Sequence, residues 1–296
     1  MSFKRLFAPF AAIVAFLAPA ADARAPEPVR PALWAVSDAD TTIYLFGTIH
    51  LLPDEFKWRT PRFDQAVAGS QQLVVETLID QKNPTRLMSA LSSLGYAKGL
   101  PPLDQRVAPK LRPALAVAVK KSGIPAQFFD QMKTWTAAFM LMGTQYKEMG
   151  LKGTAGVETV LRANFEGAGK PIGELETNVE QLSFFNTLPE EAQRLLLEGA
   201  IETPANSSKE FNSMLSAWSR GDVAAISRSF DQQLSASPAL KDALMKRRNN
   251  NWSRWIEQRM AQPGAVMIAV GAGHLAGPDS VISNLKKDGF RVERLQ

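Results

Sequence analysis

The chain contains two histidines, His50 and His274, and both stand in the same local pattern. In "TTIYLFGTIH" and in "AVMIAVGAGH" an apolar run stops at a glycine, and the histidine follows three residues later. A strand that ends on glycine can turn sharply and let another group approach its backbone. An imidazole just past such a turn can point into a crevice. Two imidazoles with one or two carboxylates make a site for a divalent transition metal. Such an ion activates water and polarises a carbonyl. A carboxylate left off the ion can serve as general base. The plainer alternative is that each histidine only satisfies hydrogen bonds within its own turn. Two carboxylates are candidates: Glu76, after the run "QQLVV", and Glu176, in "GELET". Each has a capping role at the next helix as its structural alternative.

These groups need elements to deliver them. "ALWAVSDADTTIYLFGT" has two apolar runs about a polar turn, which reads as a hairpin. "PRFDQAVAGS" reads as a short crossover helix, and Gln71–Thr77 as a third strand that ends in Glu76. Helical spacing follows from about Asp80 to Gly156. Gly156–Thr177 reads as helix, glycine turn and a strand that ends in Glu174 and Glu176. Helices return to about Gln262. "PGAVMIAVGAGH" is then a strand with a glycine turn, "GPDSVISNLKKDG" a helix, and "FRVERL" a last strand.

That order predicts an α/β fold, with a mostly parallel central sheet, an N-terminal hairpin and large helical insertions at about 80–168 and 178–262. Ligands bind beyond the carboxyl ends of strands in such sheets. His50, Glu76, Glu176 and His274 all fall at such ends. If the two glycine-terminated strands are neighbours, their imidazoles come within reach of one ion.

The N-terminus reads differently. Lys4 and Arg5 precede an apolar stretch from Leu6 to Ala20, and Ala21-Asp22-Ala23 is a small-x-small cleavage pattern. Residues 1–23 read as a secretory signal peptide, with a cut after Ala25 as the second choice and a retained anchor as the alternative. The mature chain, 24–296, is then a single exported domain, periplasmic or extracytoplasmic, with no stable membrane anchor. It has no cysteine, so neither disulfides nor a lipid-anchored cysteine contribute. The net charge of +5 does not by itself indicate nucleic acid.

Three further stretches carry competing readings. "KRRNNNWSRW" is basic and aromatic, as nucleic-acid segments are; a solvated helix face with its aromatics turned inward is the plainer reading. The methionines of "WTAAFMLMG" read as core or as lining for a substrate groove. Gly271-x-Gly273-x-x-Ala276, with Glu293 further on, fits a dinucleotide fingerprint. It has only one strand after it, and it leaves Gly47 and His50 unexplained.

The motifs Gly47-Thr48-Ile49-His50-Leu51-Leu52-Pro53, Val74-Val75-Glu76-Thr77 and Gly271-Ala272-Gly273-His274-Leu275 resemble those of the TraB/GumN family. That family includes the Tiki membrane proteases and groups with erythromycin-esterase and ChaN-like proteins. Gly169-Lys170-Pro171-Ile172, Leu175-Glu176-Thr177, Gln181 and Arg248-Asn249-x-x-Trp252 match as well, so the resemblance covers nearly the whole mature chain, in order. One departure is Gly156-Val157-Glu158, where the family more often has aspartate; glutamate keeps the carboxylate and lengthens its reach. The resemblance implies a metal-dependent protease with a Mn, Co or Zn type ion held by His50, Glu76 and His274. It leaves Glu176 as the proton acceptor and gives Arg248 a substrate carboxylate or an oxyanion. The expected function is an exported metal-dependent hydrolase acting on a peptide or a small ester or amide. The alternative is a metal- or haem-binding protein of the same fold without turnover, as ChaN-like relatives motivate.

Overall fold

The computed structural model describes residues 29–79, 83–202 and 204–296, so the expected signal peptide lies outside the described residues. Six strands form one sheet: β1 (Leu33–Ser37), β2 (Thr41–Thr48), β3 (Gln72–Val75), β4 (Ile172–Glu174), β5 (Gly264–Gly271) and β6 (Val292–Arg294). Their spatial order is β4-β3-β5-β2-β1-β6. β2, β3, β4 and β5 run parallel. β1 is antiparallel to both β2 and β6. The hairpin forms as expected, with Asp38 accepting hydrogen bonds from the Asp40 and Thr41 backbone in the turn. The third and fourth strands are shorter than expected. β3 stops at Val75 and β4 at Glu174, so Glu76 and Glu176 lie just beyond the ladder.

Both faces of the sheet are covered. That explains why β5 reads as an unbroken apolar run rather than an alternating one: Val266 to Val270 are each at most 1% exposed. On one face Phe46, Leu73, Val75, Met267 and Ala269 pack against α1 (Pro61–Gly69), α6 (Val157–Gly167), α9 (Pro204–Ser219) and α10 (Val223–Leu234). On the other, Ile43, Leu45, Val74, Ile268 and Val270 pack against α12 (Arg247–Met260) and α13 (Val281–Lys287). Local chemistry starts these helices where the sheet needs them. Thr60 caps α1, its hydroxyl accepting from Phe63 N, and Pro61 takes the first helical position, where its missing N–H costs nothing. Burial of Phe63, Ala66 and Val67 then fixes its face.

The remaining helices build a body of their own. α2 (Thr85–Leu94), α3 (Arg112–Ser122), α4 (Ala126–Gln131) and α5 (Thr134–Glu148) precede α6, and α7 (Asn178–Asn186) and α8 (Glu190–Gly199) follow β4. Leu115, Phe129, Ala137, Ala138, Leu141 and Leu197 form a separate cluster there. Met140 and Met142 pack partly buried against that cluster, which is the core reading of the methionine stretch. α11 (Pro238–Lys241) runs into a π-helical turn at Asp242–Lys246, which leads directly into α12. Such turns often mark functional positions, and this one ends two residues before Arg248.

Candidate functional site

The pairing of the strands decides which side chains meet. β5 lies between β2 and β3 with all three carboxyl ends pointing the same way. The parallel pairing of β3 with β4 continues past the strand ends, as Leu175 N donates to Val75 O at 2.9 Å and Glu176 N to Glu76 O at 2.9 Å. That backbone contact puts the two glutamates side by side.

Gly271 is the floor on which the groups converge. A Cβ built there would lie 3.2 Å from Glu76 Oε1, 3.6 Å from His274 Cδ2 and 3.8 Å from His50 Nε2. The two imidazoles, 224 positions apart in the chain, therefore approach each other to within the sum of the last two distances. The absence of a side chain is what leaves this space. Gly47 serves a related end: a Cβ there would be 3.0 Å from Ala272 Cα, so glycine lets β2 approach the turn after β5.

Arg248, from the first turn of α12, is at the centre. Its Nε donates to Glu176 Oε1 and Oε2, each at 3.0 Å. Nη2 donates to Glu76 Oε2 at 2.6 Å and to Glu176 Oε2 at 2.9 Å. Nη1 faces His274 Nε2 at 3.2 Å. The guanidinium stacks over Trp252, 4.6 Å from the ring centre, and Trp252 Nε1 donates to Glu176 Oε1 at 2.9 Å. All three charged groups are buried, and such groups persist in a low-dielectric interior only when paired and hydrogen-bonded. Burial by itself pushes the Glu76 carboxyl up. Arg248, the two histidines and the Gly271 N–H together outweigh burial and hold it well below the usual carboxylate range. At Glu176 burial prevails over the hydrogen bonds and charge of Arg248, and its carboxyl is raised. Burial disfavours the Arg248 cation, but Glu76 and Glu176 more than restore it.

The two histidines are held in different states. Asn249 Nδ2 donates to Asp279 O at 2.7 Å, which turns its Oδ1 toward His274 Nδ1, also at 2.7 Å. His274 therefore carries its proton on Nδ1 and presents the Nε2 lone pair to Arg248. Burial and then the Arg248 charge lower its pKa to about 3, so it is neutral at neutral pH. His50 is the open member, its side chain 64% exposed. Its Nδ1 is 2.6 Å from Glu158 Oε1, and Thr48 Oγ1 donates to the same oxygen. The Glu158 carboxylate beside it is the largest cause of a His50 pKa raised to about 9. Gly156 is required beneath this contact, because a Cβ there would overlap the His50 carbonyl.

All five residues singled out in the sequence (His50, Glu76, Glu176, Arg248 and His274) thus belong to one cluster. Neither glutamate is a helix cap: the capping box at α7 is made by Thr177 and Glu180. Glu176 has both oxygens engaged by Arg248 and Trp252. Arg248 and Asn249 do not lie on a solvated face. They share the buried face of α12 with Trp252, Ser253 and Ile256, while Arg247, Asn250, Asn251 and Arg254 are exposed. The glycines of the fingerprint do not open toward a pyrophosphate either: a Cβ at Gly273 would lie 2.7 Å from the Phe230 ring, and the element directly after β5 is a short 3₁₀ turn, Ala272–Leu275, rather than a helix. Asn249, Trp252 and Glu158 emerge as members of the site. The i, i+1, i+4, i+8 spacing of 248, 249, 252 and 256 is the signal that α12 turns a polar pair inward.

Whether the donors fit a divalent ion rests on their lone pairs. Imidazoles whose far nitrogens are held by a carboxylate and an amide oxygen resemble metal ligands with their supporting partners. However, His274 Nε2 and Glu76 Oε2 face Arg248, and Glu76 Oε1 accepts from Gly271 N at 2.6 Å. Among the described residues no group of three or more histidine, aspartate or glutamate side chains is arranged to hold a metal ion. The donor types are right, but the set is closed around a guanidinium.

The fold and this cluster define a three-layer α/β protein with a buried Glu–Arg–Glu centre flanked by two histidines. The chain belongs to the TraB/PrgY/gumN family, which it matches over residues 32–294. It is similar to the uncharacterized protein YbaP of Escherichia coli (strain K12), 24% identical over 261 residues that cover 86% of this chain and 92% of that protein. The YbaP protein of Shigella flexneri is 24% identical over 248 residues, 82% of this chain and 87% of that one. No solved structure matches the chain.

Proposed function

We propose that the chain hydrolyses amide or ester bonds, peptide bonds first among them, with the substrate carbonyl placed over Gly271. The observation that carries this reading is the His50–Glu158 pair at the mouth of a crevice whose floor is a buried, charge-paired centre. A carboxylate on Nδ1 fixes the tautomer and stabilises the imidazolium, leaving Nε2 to exchange a proton with substrate. In the step proposed His50 acts in its neutral form, whose share grows as pH rises toward 9: water oxygen adds to the carbonyl carbon while its proton passes to His50 Nε2. That proton then goes to the leaving nitrogen or oxygen as its bond to carbon breaks. Glu176 holds Arg248 in place, because its own oxygens are occupied.

A divalent transition metal on His50, Glu76 and His274, as the family resemblance implies, is the other means of activating that water; the closed donor set speaks against it. We also read the protein as exported. The support is the charged, apolar and small-residue order of residues 1–23. Among the described residues no helix is long and apolar enough to cross a membrane.

The test is cleavage of a mixed peptide library and a panel of aryl esters by the mature chain, with His50→Ala and Glu158→Gln beside it. Turnover that falls in both variants while their folds persist supports the reading. Parent protein that cleaves nothing but retains a metal or haem would replace it with the binding-protein alternative.

A further inference from the structure

The observation that reaches furthest is the position of Arg248. A guanidinium has five N–H donors in a fixed plane. Its bonds to Glu176, Glu76 and His274 engage Nε–H, both hydrogens of Nη2 and one hydrogen of Nη1. The second Nη1 hydrogen has no acceptor among the described residues. The cation is surrounded by the same atoms that would otherwise ligate a metal: the unprotonated Nε2 of His274, an oxygen of Glu76, and Glu176 behind them. Glu76 and Glu176 carry two negative charges against one on Arg248, and the cationic His50 edge lies near Glu76. A dication brought onto Glu76 and His274 would meet the fixed charge of Arg248 at contact distance, where like charges repel strongly in a buried setting.

We propose that Arg248 is the resident cation of this centre, standing where the family resemblance implies a divalent ion. This does not rest on the hydrolytic reading above. Glu176 and Trp252 are then positioning residues, since they fix the guanidinium plane and touch no substrate. His274 has a matching task. Its neutral Nε2 accepts one Nη1 hydrogen and so directs the other.

The experiment uses the mature chain and three variants, Arg248→Ala, His274→Ala and the double variant Arg248→Ala with Glu176→Gln. Metal content is measured by mass spectrometry after dialysis against Mn, Co and Zn salts. Melting temperature is followed with and without a chelator, and Co(II) binding by its visible absorption. The parent is expected to hold no stoichiometric metal and to melt at the same temperature whether chelator or ion is added. Removing Arg248 frees His274 Nε2 and Glu76 Oε2, so the Arg248→Ala chain is expected to gain a Co(II) spectrum and a rise in melting temperature with cobalt. The double variant sheds the surplus buried charge and keeps this arm readable if the single variant does not fold. A parent that retains one ion per chain, loses it in His274→Ala and melts lower with chelator overturns the proposal. So does failure of both Arg248 variants to take up cobalt. Cleavage seen only with added ion leaves the hydrolytic reading standing and removes this one. Metal results as expected, without any cleavage, do the reverse.

Discussion

Replacing Arg248 with methionine should be one of the costliest single changes in the protein. Methionine fills much of the same volume against Trp252 and Phe184 but leaves Glu76 and Glu176, each at most 7% exposed, without their cation. Apolar replacement of a buried ion cluster is tolerated when all partners are replaced together. Removing one partner typically costs about 3–5 kcal/mol. At roughly 2–4 °C per kcal/mol for a domain of this size, the melting temperature should fall by on the order of 10 °C.

The deficit should also depend on pH in a defined direction. In the parent, Glu76 has a folded-state pKa below its unfolded value, so it contributes stability above the unfolded pKa and loses it as pH falls through the folded one. Without Arg248 both carboxyls titrate above their unfolded values, and protonation relieves the variant. The gap between the two proteins should therefore shrink as pH is lowered from about 7 to about 5. Urea unfolding followed by circular dichroism and tryptophan fluorescence, at both pH values, measures this directly. A variant within ~0.5 kcal/mol of the parent at neutral pH, the ordinary range of a surface change, would refute the buried triad. A deficit that grows on acidification would refute the charge assignment.

Three other outcomes follow from the same geometry. Proton NMR of the two histidines should show His50 titrating near 9 and His274 flat above about 3. In Glu158→Gln the His50 midpoint should move down toward 6.5. The raised pKa of His50 contributes stability below 6.5 that is lost as pH rises through about 9, so any deficit of Glu158→Gln should vanish above that pH. Gly273→Ala should cost about 1–3 kcal/mol by overpacking against Phe230, and urea unfolding of a double-mutant cycle with Phe230→Leu should show the two sites coupled. Gly156→Ala should displace the His50 backbone and shift the His50 NMR midpoint even where the chain remains folded, since the clash is with the His50 carbonyl itself.

The parts of the fold legible beforehand are those governed by local chemistry. The hairpin follows from a polar Asp turn between two apolar runs. The crossover helix follows from Thr60 and Pro61 ahead of an amphipathic stretch. β2 and β5 could be recognised because a strand buried on both faces needs a continuous apolar run, and each ends on a glycine that its neighbours require. His50, Glu76 and His274 were placed at strand carboxyl ends for the same reason. What was not legible is pairwise. Arg248 stands out in the sequence only through the family motif; its basic run by itself reads as a solvated face, because a helix residue is buried or exposed only by virtue of what packs on it. Glu158 looked like a lengthened substitute, and only its contact with His50 Nδ1 shows what the extra reach is for.

Residues a few positions apart fix the alternation of strands and helices, the glycine turns and the set of side chains available at strand ends, so these are local properties of the chain. The tertiary structure alone decided that β5 lies between β2 and β3, that α12 turns Arg248 inward, and that Asn249 sets the tautomer of His274. Those outcomes depend on contacts between residues from 25 to 223 positions apart. Their energies come from burial and from charge pairing, and neither exists until the layers have closed over the site.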